Sequence, residues 1–144
     1  MRAIIQKSKE SSVSFSGITN KIDYGLVVLV GFTDGDTSAD IDYMVRKIVN
    51  LRIFDDENHI MNKSILDVSG QILSISQFTL YADTKKGNRP SYKMAMNGPD
   101  AHILYDTFNK KLREYVSLEE GFFGEDMFLC IQNDGPVTIM LESR

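Results

Sequence analysis

The stretch IDYGLVVLVGF, Ile22–Phe32, decides the fold class. From Leu26 to Phe32 only Gly31 interrupts a run of apolar residues in which Val27, Val28 and Val30 are β-branched. Such a short continuous run reads as a buried strand, and Gly25 marks a bulge or turn near its start. Upstream, RAIIQK (2–7) and SVSFS (12–16) read as two more strands, with Val13 and Phe15 alternating with serines at period two. Downstream, FTDGDTSAD is a loop that leads into a helix. Thr37 is its N-cap, and Asp40 sits in the first turn, where the helix dipole favours a negative charge. Ile41, Met44, Val45, Ile48 and Val49 then form one apolar face, ending near Leu51.

The pattern changes again after the polar turn DDENH (55–59). Gly70 precedes a second strong strand, QILSISQFTLYA (71–82). The segment 85–101, KKGNRPSYKMAMNGPDA, is the longest irregular stretch, and Pro99 suits the first turn of a helix. Ala101, Leu104, Tyr105, Phe108, Leu112, Tyr115 and Val116 mark one face of that helix, about 17 residues long by spacing. Gly121 and Gly124 break the chain before strands at 127–132 and 136–142. Strands alternate with helices too seldom for a doubly wound parallel sheet. The expectation is one α+β domain over 1–144, a mixed sheet or barrel-like core carrying two amphipathic helices.

Composition narrows the function. A chain of 144 residues with 42% hydrophobic and 25% charged content can bury a substantial core. No apolar run approaches the ~20 residues of a membrane span. The opening MRAIIQKSKESS lacks the apolar core of a signal peptide, and Cys130 is the only cysteine. A cytoplasmic protein is expected. Net charge −4 argues against a globally basic nucleic-acid binder, while leaving room for a local basic patch.

The residue inventory removes several chemistries. His59 lies in a polar turn, and His102 falls off the apolar face of its helix. Neither is placed for a Ser-His-Asp or Cys-His arrangement, and two histidines with one cysteine do not make a zinc site. GxxxxGK[ST] and GxGxxG are both absent. Cys130, between Leu129 and Ile131, reads as a small buried hydrophobe. No metal and no cofactor is expected.

Two segments are not explained by packing alone, and a basic stretch is open to two readings. In SISQFTLYA (74–82), Ser76, Gln77 and Thr79 place polar groups on both faces of a strand, which fits either a lined pocket or a plain wall. NDGPVT (133–138) is rich in turn residues, and since X-Pro bonds are mostly trans, composition alone reads a trans turn. Between Thr84 and Pro99 lie Lys85, Lys86, Arg89 and Lys93 with Tyr92 and no acid. That stretch suits either a phosphate backbone or a solvated loop.

SQFTL (76–80) and NDGPVT (133–138), in that order, resemble the paired signatures of the D-aminoacyl-tRNA deacylase family, also called D-tyrosyl-tRNA deacylases. MRAIIQKS, GLVVLVGF, NKSILDVSGQILSISQFTLYAD and GNRPSY extend the resemblance along nearly the whole chain. It implies a homodimer that hydrolyses the ester of a D-aminoacyl-tRNA and also clears glycine mischarged on tRNA. It further implies that Ser76, Gln77, Phe78 and Thr79 receive the 3′-adenosine and aminoacyl group. Gly135 and Pro136, joined by a cis bond and flanked by Asn133, Val137 and Thr138, would reach the partner's site and exclude L side chains. Lys85, Lys86 and Arg89 would meet the tRNA backbone. Two departures stand out: Lys7 replaces an arginine thought to steady the Gly-Pro carbonyls, and GNRPSY replaces GRRPSF. Lysine lacks the planar fork of arginine.

An activated ester needs its carbonyl held and its oxyanion stabilised, for which the Phe78 and Thr79 backbone N–H groups are candidates. Either the Thr79 hydroxyl attacks or the tRNA 2′-hydroxyl assists a water. The second is favoured, because an unassisted threonine is a weak nucleophile. A non-catalytic tRNA- or protein-binding module on the same fold is the rival reading.

Overall fold

The computed structural model describes residues 1–143. Its centre is the predicted buried run. That run belongs to β2 (Ile18–Gly31), which pairs with the antiparallel β1 (Arg2–Phe15) over almost its whole length. The two form a single long hairpin, because Ser16 and Gly17 both take positive φ (49° and 82°), as a tight two-residue hairpin turn demands. The two short strands expected at 2–7 and 12–16 are therefore one.

Helix α1 (Ser38–Asn50) follows as predicted. Asp40 accepts the Thr37 backbone N–H at 2.9 Å, satisfying a donor at the helix start, and Ile41, Met44, Val45, Ile48 and Val49 are buried. A small ribbon, β3 (Phe54–Asp55) and β4 (Met61–Lys63), frames the polar turn. Strand β5 (Gln71–Ser76) then runs parallel to β2, with Leu26 opposite Ile72 and Val30 opposite Ser76. It is six residues long, not twelve: Phe78–Tyr81 form one 3₁₀ turn. Helix α2 (Gly98–Arg113) starts at an Asn97 cap with proline in its first turn, and Tyr115 lies beyond its end, exposed. A short parallel strand, β6 (Ser117–Glu120), has no counterpart in the sequence reading, since SLEE shows no apolar alternation. The last two expected strands are one, β7 (Phe128–Glu142), antiparallel to β1.

The sheet order is β6-β5-β2-β1-β7, mixed and open among the described residues, so the barrel-like alternative does not apply. Both helices cover one face. Ala3, Ile5, Leu26, Val28, Val30 and Ile72 meet Ile41, Met44, Ile48, Tyr105, Phe108 and Leu112 there. Val13, Ile22, Val27, Leu73 and Ile75 form a smaller cluster on the other face with Phe122, Met127, Leu129 and Ile131. Gly25 is neither bulge nor turn. It is a point of close approach, where a Cβ would lie 1.9 Å from the Gln71 carbonyl oxygen of the neighbouring strand. Cys130 is exposed on β7, contrary to expectation, because that strand lies at the sheet edge and buries neither face fully.

Candidate active site

The carboxyl ends of two neighbouring parallel strands make the floor of a cleft. The last link between them is the Gln77 backbone N–H, which donates to the Val30 carbonyl at 2.7 Å. Gly31 permits this: a Cβ there would sit 2.7 Å from the Gln77 carbonyl oxygen. The chain then leaves the sheet at Gln77 and coils through Phe78–Tyr81, so the polar residues of SQFT line a rim instead of alternating across a strand.

Two irregular segments complete the walls. One is 92–101, fixed by the Met96 N–H donating to the Phe32 carbonyl at 3.0 Å and the Thr33 hydroxyl donating to the Met94 carbonyl at 2.5 Å. The other is 123–127. There Phe123 is stacked on His102 (centroids 4.3 Å apart, planes 3° apart) and tilted against Tyr105. Tyr105 is buried beneath, and its hydroxyl donates to the Ser74 carbonyl at 2.8 Å. Burial pushes the Tyr105 phenol above the ordinary tyrosine range. The enclosed space is about 660 Å³, ample for a small-molecule or nucleoside-sized group.

Ser76, Gln77, Phe78 and Thr79 all line this cleft. The Gln77 side-chain amide donates to the Thr79 hydroxyl oxygen at 2.6 Å, which occupies a lone pair that a nucleophile would use. The Phe78 and Thr79 N–H groups open the 3₁₀ turn, where donors have no acceptor within the helix. Neither histidine lines the cleft, and Glu125 and Asp126 are its carboxylates. Phe123, Met127, Met96 and Gly31 escaped the sequence reading. The only signal was the glycine-flanked pair of aromatics in GFFG (121–124), which reads equally as a chain break.

The second motif lies elsewhere. Gly135 and Pro136 are exposed on β7, three strands from β5 and about 14 Å away across the sheet at ~4.8 Å per strand. They do not line the cleft of their own chain. Their peptide bond is cis. The register of β7 against β1 shifts between Gln6↔Thr138 and Ser8↔Asn133, so the turn bulges from the edge strand, where a proline costs no ladder bond. Asn133 staples the bulge. In the orientation that satisfies both ends of its amide, the nitrogen donates to the Lys7 and Val137 carbonyls at 3.0 Å each. The oxygen accepts from the Gln6 amide at 3.0 Å and the Thr138 hydroxyl at 2.9 Å. Lys7 is buried, and its ammonium lies 3.5 Å from Asp134 and 3.7 Å from Asp55. Lys85, Lys86 and Arg89 do not line the cleft; they stand on the exposed loop between the 3₁₀ turn and Tyr92.

The family model described as D-Tyr-tRNA(Tyr) deacylase matches residues 4–142. A solved structure named c-Myc DNA unwinding element binding protein is 41% identical, with TM-score 0.95, covering 100% of this chain and 99% of that one. Another, of a probable eukaryotic D-amino acid tRNA deacylase, shares the fold at TM-score 0.84 and 19% identity over 97% of each chain. Among the described residues no helix is long and apolar enough to cross a membrane. With residues 4–142 matched, this protein belongs to the D-Tyr-tRNA(Tyr) deacylase family, hydrolases that cleave the ester bond of a D-aminoacyl-tRNA.

Proposed function

We propose that the Ser76–Thr79 cleft holds the 3′-terminal adenosine and its aminoacyl ester, and that Gly135 and Pro136 of a second copy of the chain close it. The observation that carries this reading is the separation of the motifs. SQFT lines a cleft, while the Gly-Pro turn is exposed three strands away on a free edge, stapled by Asn133 and presented outward. A homodimer brings the turn of one copy to the cleft of the other. Gly135 and Pro136 then fill the space an L side chain needs, with Asn133, Val137, Thr138 and Lys7 holding them in place. Glycine lacks a side chain to exclude, so glycyl-tRNA is also accepted.

The chemistry follows from what lines the cleft. No histidine lines the cleft, and the Thr79 hydroxyl is hydrogen-bonded to the Gln77 amide and not to the cleft carboxylates Glu125 and Asp126, so a threonine nucleophile has no base in contact to activate it. The Phe78 and Thr79 N–H groups hold the ester oxygen as charge develops on it, and the tRNA 2′-hydroxyl assists the attacking water. Lys85, Lys86 and Arg89 contact the tRNA backbone.

The decisive experiment incubates the protein with D-tyrosyl-, L-tyrosyl- and glycyl-tRNA. Release of D-tyrosine and glycine, with the L-ester left intact, is expected. Binding without release would favour a non-catalytic module. In the same assay Thr79→Ala retains activity to within about tenfold, the usual scale for losing a positioning hydrogen bond. Complete loss with a trapped acyl-threonine on the wild-type protein would overturn the 2′-hydroxyl route.

A further inference from the structure

Phe78 and Tyr92 stand at the mouth of the cleft as an edge-to-face pair, with ring centroids 5.0 Å apart and planes at 73°. Phe78 is 57% exposed and Tyr92 39%, although each already covers part of the other. The backbone beside each ring is anchored. Phe78 follows the Gln77–Val30 link, the Tyr92 carbonyl accepts the Ala95 N–H at 3.0 Å, and reciprocal bonds between Asp83 and Ser91 (2.8 and 2.9 Å) clamp the loop just before Tyr92. Beyond that clamp residues 84–90 are exposed, and they carry Lys85, Lys86 and Arg89 with no acid. Polar rim residues and the aromatic pair line the cleft, and the cations lie on the exposed loop that the Asp83–Ser91 bridge joins directly to Tyr92. A single nucleic-acid strand esterified at its 3′ end presents the matching series: ester, base, phosphate. Anchored aromatics beside a basic track are how proteins hold single strands without reading sequence.

We propose that Phe78 and Tyr92 form a stacking platform for the base of the penultimate nucleotide, the one 5′ to the esterified adenosine, with the loop cations on the phosphates beyond it. The assignment rests on the reading of the cleft as the ester site. The platform supplies affinity and direction of entry, and it plays no part in choosing the amino acid.

The test compares D-tyrosyl esters of adenosine, of the dinucleotide CpA and of full-length tRNA. For the wild-type protein, kcat/KM rises about tenfold or more from adenosine to CpA, towards the lower end of what one base–aromatic stack supplies. Tyr92→Leu, whatever it costs on the adenosine ester as a wall residue, loses most of the further gain that CpA brings over adenosine, chiefly in KM, while its unchanged denaturation midpoint shows an intact fold. Equal loss on the adenosine and CpA esters would make Tyr92 a wall residue only and overturn the platform, as would wild-type rates that ignore the added nucleotide. Failure of the wild-type protein on all three esters would instead remove the enzyme reading, and the subsite with it.

Discussion

At Gly135 the backbone φ is +118°, a region that L side chains rarely adopt, and an added Cβ would lie 2.8 Å from a Val137 methyl and 3.0 Å from the Val137 nitrogen. Gly135→Ala therefore carries two burdens. It strains the bulge, lowering stability by roughly 1–3 kcal/mol. It also displaces the turn that the proposed function places over the substrate. The expected result is a folded protein with a reduced denaturation midpoint and D-tyrosyl-tRNA turnover lost. Unchanged kinetics on both the D- and L-esters would remove the pair from the site. Much of this was legible in the sequence. NDGPVT indicated a turn at a strand edge from residue chemistry alone, and Pro136 argued against a central strand. What composition could not yield was the isomer, the positive φ, or the Asn133 staple that spans Lys7 and Val137, because each depends on the register with β1. Lys7 was visible as a departure from arginine. Its two carboxylate neighbours were not, since Asp55 comes from a separate ribbon.

Elements were legible where periodicity matched burial. The apolar spacing of α1 and α2 predicted buried faces that the structure reproduces, apart from Tyr115. Strand β5 shows the opposite case: its strand-like composition continues to Ala82, but β2 ends at Gly31, and without a partner the chain coils. The same stop creates the cleft rim, so the misread boundary is also the one that lines the proposed site. Beneath it, Tyr105 links α2 to β5. Its hydroxyl shares the Ser74 carbonyl with the Gly121 N–H, which donates to it at 2.8 Å. Tyr105→Phe thus leaves that carbonyl satisfied and costs about 1 kcal/mol at neutral pH. The alkaline side distinguishes the two proteins further. Burial raises the native phenol pKa above the unfolded value of ~10, so the native state holds its proton longer. This contribution is full below the unfolded pKa and is lost as pH rises through the native one. Urea midpoints taken from pH ~7 to ~11 should fall less steeply for Tyr105→Phe than for wild type; parallel curves would show that the phenol does not titrate with unfolding.

Across the whole molecule, charge and symmetry organise the proposed function. The chain carries −4 overall, yet the exposed loop that runs into the cleft residue Tyr92 carries three cations and no acid. Replacing Lys85, Lys86 and Arg89 together with glutamine should weaken tRNA binding and flatten its salt dependence by up to ~0.7–0.9 in log–log slope for each phosphate no longer neutralised. An unchanged slope would place the backbone interaction elsewhere. The edge strand β7 makes a stronger claim. It pairs only with β1 among the described residues, it exposes Phe128 and Met140, and it carries the Gly-Pro turn away from its own cleft. If the turn serves a neighbouring cleft, two separately inactive chains must complement each other. Ala95→Trp fills the cleft but leaves the turn intact, and Gly135→Ala damages the turn but leaves the cleft open. After unfolding and refolding an equal mixture, half the dimers of a two-fold assembly are mixed, and each mixed dimer has one site made from an undamaged cleft and an undamaged turn. Activity should return to about a quarter of the wild-type level. If each site were built from one chain, the mixture would stay as inactive as its components. Recovery that disappears on dilution below the dissociation constant, and returns on concentration, would tie the activity to the assembled pair.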